Sequence, residues 1–175
     1  MDVFLQPGEY FVGDDTMRLR TMLGSCVAIT LWHPARRIGA MSHFLLADRG
    51  RPARPGELDG RYGDEALELM VRGLRRQRVP IAECEAKIFG GGNMFPTRPR
   101  SVMDAVGTRN GHAARHLLAG RGIGVRSEHL FGDGHRQVVF DVASGAVWVR
   151  QIPPAALQSP QPAAPPALHS RRNIP

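Results

Sequence analysis

Two apolar, β-rich runs stand on either side of a short polar turn, and this pair restricts the fold more than any other feature of the chain. Cys26-Val-Ala-Ile-Thr-Leu-Trp32 is rich in β-branched and aromatic residues, and Ile38 to Leu46 is a second such run. Between them, His33-Pro34-Ala35-Arg36 carries Pro at its second position, where the fixed φ of Pro suits a turn. The arrangement predicts an antiparallel β-hairpin. Counting outward from the turn, Trp32 faces Arg37, Thr30 faces Gly39, Ala28 faces Met41 and Cys26 faces His43. Opposed residues share a face with Cβ atoms ~4.5–5.5 Å apart. This register therefore sets a thiol beside an imidazole, and a slip of one residue would separate them onto opposite faces.

The remaining pattern is mixed. Glu9 to Val12 follows Pro7-Gly8 and reads as a strand. Asp48 to Gly60 is rich in Gly, Pro and Arg and reads as a loop. Tyr62 to Arg78 places Ala66, Leu67, Met70, Val71 and Leu74 at helical spacing, and Thr108 to Ala119 is a second predicted helix. Ala86 to Phe89, Ile123 to Glu128, Gln137 to Val142 and Ala146 to Gln151 are predicted strands, the last two joined by the turn Ala143-Ser-Gly145. Strands in hairpins with two main helices predict a single α+β domain of mixed sheets and flanking helices.

The predicted domain covers residues 1–150. Residues 151–175 hold seven of the fourteen prolines and no acidic residue, a composition that cannot bury a core and reads as a disordered Pro/Ala-rich tail. No apolar run approaches the ~20 residues of a membrane span. The N-terminus has neither the basic nor the apolar region of a signal peptide, so the expected compartment is the cytoplasm and no membrane insertion is expected. Net charge is +7, but of 23 basic residues all except Lys87 are Arg, scattered and without interleaved aromatics. That distribution argues against nucleic acid as a partner.

The chemistry concentrates on the hairpin. A thiol beside an imidazole is the minimum for thiol nucleophilic catalysis. Imidazolium lowers the thiol pKa, and the thiolate is the nucleophile. Gly24-Ser25, just before Cys26, lets backbone approach closely and leaves N–H groups of the kind an oxyanion hole uses. A buried strand Cys facing a His is also an ordinary core arrangement. Other candidates are weaker. Gly90-Gly91-Gly92 lacks the spacing of a nucleotide loop and reads as a tight turn that lets another backbone come near the site. His112 and His116 have ligand spacing without a third partner and read as a solvated helix face. No metal or cofactor is expected. Cys84, between Glu83 and Glu85, would have a raised pKa and reads as non-catalytic. Arg75, Arg76 and Arg78 suit a helix C-terminus.

Several ordered blocks carry a resemblance. Leu23-Gly-Ser-Cys-Val27 followed by Gly39-Ala-Met-Ser-His43-Phe-Leu-Leu46, with Pro7-Gly8-Glu9-Tyr10, Arg61-Tyr62-Gly63, Ala86-Lys-Ile-Phe-Gly-Gly91, Gly107-Thr-Arg-Asn110 and Phe140-Asp-Val-Ala-Ser-Gly-Ala-Val147, resembles the CheD family of chemoreceptor glutamine deamidases. The resemblance spans about residues 5–150 and implies a fold similar to the catalytic domain of cytotoxic necrotizing factor toxins. It implies hydrolysis of receptor glutamine side chains to glutamate and ammonia in bacterial chemotaxis, and of glutamyl methyl esters in some members. Cys26 matches the nucleophile, His43 the base and Thr21 the third member. Chemoreceptors are the implied substrate and a CheC-type phosphatase an implied partner; a non-catalytic adaptor on the same fold is the alternative. Ala47 stands where members commonly have Pro, and Glu128 to Asp133 departs from the Asp and paired glycines often found there.

Overall fold

The computed structural model describes residues 1–97 and 104–154. Its central element is β4 (Val27–His33), whose residues are buried almost throughout. A strand covered on both faces reads as a continuous apolar run, which is why this segment stood out in the sequence. β4 pairs antiparallel with β5 (Ile38–Ser42) on one side and with β6 (Glu85–Gly90) on the other. β2 (Tyr10–Gly13) adds antiparallel to β5, and β7 (Val125–Leu130) adds parallel to β6, giving the five-stranded order β2-β5-β4-β6-β7.

A second sheet of four strands has the order β1-β3-β8-β9. It is built from β1 (Asp2–Phe4), β3 (Arg18–Leu23), β8 (His135–Asp141) and β9 (Val147–Ile152). The sequence pattern does not predict β1 or β3. β3 alternates Arg18, Arg20 and Met22 outward with Leu19, Thr21 and Leu23 inward, the pattern of a strand with one wet face. β9 runs on through Gln151 and Ile152, past the expected domain end at 150. The tail from 155 lies outside the described residues.

Helices α1 (Gly63–Arg76) and α2 (Asp104–Gly120) cover the other face of the five-stranded sheet. The order is thus helices, five-stranded sheet, four-stranded sheet, with two cores. Val27, Ile29, Leu31, Ala40 and Phe44 pack against α1 and α2 residues such as Leu67, Met70, Leu74 and Leu118. Ala28, Met41 and Phe89 pack across the inter-sheet layer against Leu5, Leu19, Leu23, Val138 and Phe140. α1 has Asp64 and Glu65 in its first turn and Arg75 and Arg76 in its last, each suited to the helix dipole. Buried Glu65 binds Arg49 Nη2 at 2.6 Å and the Asp59 N–H at 2.8 Å, which pins the Arg-rich loop onto the helix.

The hairpin exists, but its register differs from the expected one. His33 pairs with Ile38, Trp32 with Gly39 and Thr30 with Met41. The loop is Pro34–Arg37 rather than His33–Arg36, because Arg37 takes a left-handed conformation (φ 49°) and its N–H closes on the His33 carbonyl at 2.9 Å. His33 stays in the strand, buried and bound through Nε2 to Glu83 at 3.0 Å. Cys26 therefore does not directly oppose His43. The outermost pair is Val27–Phe44, and Cys26 and His43 lie just beyond the strand ends, in diagonal relation. The pairing has moved by two positions, so both side chains keep the same face. Among the described residues no helix is long and apolar enough to cross a membrane.

Candidate active site

Three chain segments meet at the edge of the inter-sheet layer. Phe44 points into the helix-side core, so His43 before it points between the sheets. Thr21, an inward residue of β3, meets it there from the facing sheet. Thr21 Oγ1 lies 2.8 Å from His43 Nδ1 and 2.8 Å from the Leu5 carbonyl oxygen. A carbonyl can only accept, so the single hydroxyl proton goes to Leu5. Thr21 must then accept from the imidazole, which assigns the proton of neutral His43 to Nδ1. Nε2 is left with its lone pair bare. It is buried and has no hydrogen-bond partner among the described residues.

Burial pushes the His43 pKa down to about 4, against weaker upward pulls from the Leu5 carbonyl and Glu9. Cys26 is half-buried and unbonded to another cysteine, packed beside the inter-sheet core, and burial raises its pKa. Both shifts favour the uncharged forms. Burial thus works toward thiol and neutral imidazole, and against the thiolate–imidazolium pair expected from the sequence.

The segment before Cys26 is held by its carbonyls. The Gly92 N–H donates to the Gly24 carbonyl and the Gly91 N–H to the Cys26 carbonyl, each at 2.9 Å. Asn110 Nδ2 of α2 donates to the Ser25 carbonyl at 3.1 Å and to the Leu45 carbonyl at 2.7 Å. The glycines are sterically required here. Gly90 has φ 111°, and a Cβ on it would stand 2.2 Å from the Cys26 carbonyl oxygen. Gly90-Gly91-Gly92 is thus the close backbone approach expected of it. Behind it, buried Arg136 donates Nη1 to the Gly90 carbonyl at 3.0 Å and Nε to His129 Nδ1 at 2.8 Å. Asn110 and Arg136 were given no role from the sequence. Each acts on backbone far away in the chain, and only the Gly107–Asn110 block hinted at the first.

The other sequence candidates lie elsewhere. His112 and His116 are exposed on α2, and His112 packs on Phe131 with ring centroids 5.1 Å apart. Among the described residues no three His, Cys, Asp or Glu side chains gather as a metal site. Cys84 is buried, its pKa pushed up to about 11 by burial first and by Glu83 second. Arg75, Arg76 and Arg78 are exposed.

A free thiol, an imidazole with a bare inward nitrogen, a hydroxyl on its other nitrogen and a backbone held by its carbonyls are the parts of a thiol-dependent acyl-transfer site. They sit on a two-sheet α+β domain. Comparison with known proteins gives the family. The model described as CheD chemotactic sensory transduction matches residues 45–151. The chain is 60% identical over 159 residues to the probable chemoreceptor glutamine deamidase CheD 2 of Albidiferax ferrireducens, covering 91% of this chain and 92% of that protein. It is 45% identical over 156 residues to the probable chemoreceptor glutamine deamidase CheD 1 of Chromobacterium violaceum, covering 89% and 80%. It is 44% identical over 158 residues to the corresponding protein of Pseudomonas savastanoi pv. phaseolicola. The chain belongs to the CheD family.

Proposed function

We propose that this chain is a chemoreceptor glutamine deamidase, working in the cytoplasm on receptor glutamine side chains with Cys26 as nucleophile and His43 as base. The observation that carries the reading is the Thr21–His43 bond, which leaves the buried Nε2 free to take a proton. An adaptor that only bound receptors would have no use for an ordered, desolvated imidazole. Exposed Leu46 and Phe95 support a protein substrate: Leu46 follows the Leu45 carbonyl held by Asn110, and Phe95 follows Met94, whose sulfur packs on Gly24.

The steps follow from the neutral resting pair. With the glutamine amide in place, His43 Nε2 takes the Cys26 proton as sulfur attacks the side-chain carbonyl. Backbone N–H groups around Gly24, Ser25 and Cys26 hold the oxyanion; such donors are worth ~2.7–4 kcal/mol each. The imidazolium returns its proton to nitrogen, ammonia leaves and a γ-glutamyl thioester remains. Neutral His43 then draws a proton from water, which attacks the thioester and releases glutamate and the thiol. Thr21 orients the ring throughout, the task a carboxylate performs in other triads. A glutamyl methyl ester would react by the same route, with methanol leaving.

The test is peptide mass spectrometry of a chemoreceptor cytoplasmic fragment after incubation with the protein. The mass gain of amide-to-acid conversion at defined glutamines, absent with Cys26→Ala, is the expected result. Co-purification with the receptor but no conversion would instead establish the adaptor.

A further inference from the structure

We infer that Asn110 is a positioning residue for oxyanion binding: it turns the Ser25–Cys26 peptide so that the Cys26 N–H faces the reacting carbonyl. The inference rests on Cys26 being the nucleophile. In a trans peptide the C=O and N–H point in opposite directions. The Ser25 carbonyl is drawn toward α2 by Asn110 Nδ2, so the Cys26 N–H points away from α2 and lies against its own sulfur. The neighbouring peptide is fixed in the same manner. The Gly24 carbonyl is held by the Gly92 N–H, so the Ser25 N–H points away from the glycine turn. Among the described residues, neither the Ser25 nor the Cys26 N–H donates to another residue's backbone. The next amide, Val27 N–H, is committed to the Phe44 carbonyl at 3.1 Å. Two adjacent N–H groups are therefore available beside the sulfur, and their direction is set from behind by the carbonyls.

Asn is well suited to this position. One Nδ2 group carries two hydrogens, and they go to two carbonyls, Ser25 on the nucleophile's arm and Leu45 on the arm carrying His43. A carboxylate has no hydrogen to give, and a hydroxyl has one. Asn110 itself is buried. It thus couples the two arms through their backbone carbonyls, and among the described residues it hydrogen-bonds to neither the thiol nor the imidazole.

The experiment compares two reactions of the same thiol. Acylation by p-nitrophenyl acetate passes through an oxyanion; alkylation by iodoacetamide is a displacement at carbon and does not. Both are followed in the full chain, the Cys26→Ala signal is subtracted, and thermal unfolding is run in parallel. In Asn110→Asp and Asn110→Ser the acylation burst should slow by about 10- to 100-fold while alkylation stays within about twofold. Asn110→Ser, with one donor, should lose less than Asn110→Asp. It also provides the comparison if Asn110→Asp does not fold. Equal loss in both reactions would make Asn110 a plain structural residue and overturn the inference, as would no loss in either. A wild-type protein with no Cys26-dependent burst would overturn the reading of Cys26 as nucleophile, and the inference with it. A normal wild-type burst that is insensitive to Asn110 sinks the inference alone.

Discussion

Thr21 lies on β3 of one sheet and His43 just past the end of β5 of the other, 22 positions apart in sequence, and their side chains meet at 2.8 Å between Oγ1 and Nδ1. The hydroxyl is committed to the Leu5 carbonyl, so the bond defines the tautomer as well as the ring's orientation. Thr21→Val keeps the shape and removes the hydroxyl. It should lower kcat by about 10- to 100-fold with little change in KM, since Thr21 orients the base and does not bind substrate. The buried Nδ1–H would lose its acceptor, at a cost of about 1–3 kcal/mol in stability. Thr21→Ser should restore most of both. Full activity in Thr21→Val, measured by deamidation of a receptor fragment, would remove Thr21 from the site.

The resting thiol should be protonated. Burial raises the Cys26 pKa and lowers that of His43, and both shifts disfavour an ion pair before substrate arrives. The rate of iodoacetamide alkylation at Cys26 should therefore still be climbing at pH 9, with no plateau near neutrality. Replacing His43 by Ala should change that profile little while abolishing deamidation. A plateau at pH 6–7 that vanished in the His43 variant would show a preformed thiolate and reverse this account.

His43 also ties stability to pH. Its folded pKa of about 4 lies below the value of 6.5 for a free imidazole. Between those values the unfolded chain binds the proton more readily than the folded one, so this group's contribution is intact above pH 6.5 and is lost as pH falls toward 4. By pH 5 the loss amounts to about 2 kcal/mol. Urea unfolding of wild type and His43→Gln at pH 7 and pH 5 isolates it, because the other groups titrate in both. The wild type should lose about 2 kcal/mol more than the variant. Equal losses would mean that His43 is solvated.

Much of this architecture is legible in the sequence, for identifiable reasons. α1 is read from Ala66, Leu67, Met70, Val71 and Leu74, all buried against the sheet. The thiol–imidazole pair survives an incorrect register because the four-residue loop slides by one, so that one strand gains a residue and the other loses one; the pairing moves by two positions and the face is preserved. β3 leaves little trace in the sequence because its outward positions are Arg18, Arg20 and Met22, and one of its three inward residues is polar Thr21. β1 is three residues long and pairs in parallel with a strand reached only through the intervening β2, so no local signal marks it. Asn110 bonds to backbone 85 and 65 positions away, and nothing in the side chain's identity announces such partners. The resting charge state was likewise hidden, since it depends on burial from both sheets.

The glycine turn offers the sharpest test of how the site is held. Gly90 sits at φ 111°, and any side chain there would drive a Cβ to 2.2 Å from the Cys26 carbonyl oxygen, a backbone atom with no freedom to yield. The same carbonyl receives the Gly91 N–H, and the Gly90 carbonyl receives Arg136. Gly90→Ala must therefore displace the peptide that follows the nucleophile as well as strain its own backbone. Holding a non-glycine residue in such a conformation costs on the order of 1–3 kcal/mol, and a shift of about 1 Å at a reacting group can cost 10²-fold in rate. The expected variant is folded but destabilised, with alkylation and acylation of Cys26 both reduced. That contrasts with the selective loss expected at Asn110. At Gly120, a Cβ would meet nothing within 4 Å, so Gly120→Ala serves as the control and should leave rate and stability near wild type. Wild-type kinetics in Gly90→Ala would show that the turn does not hold Cys26 in place.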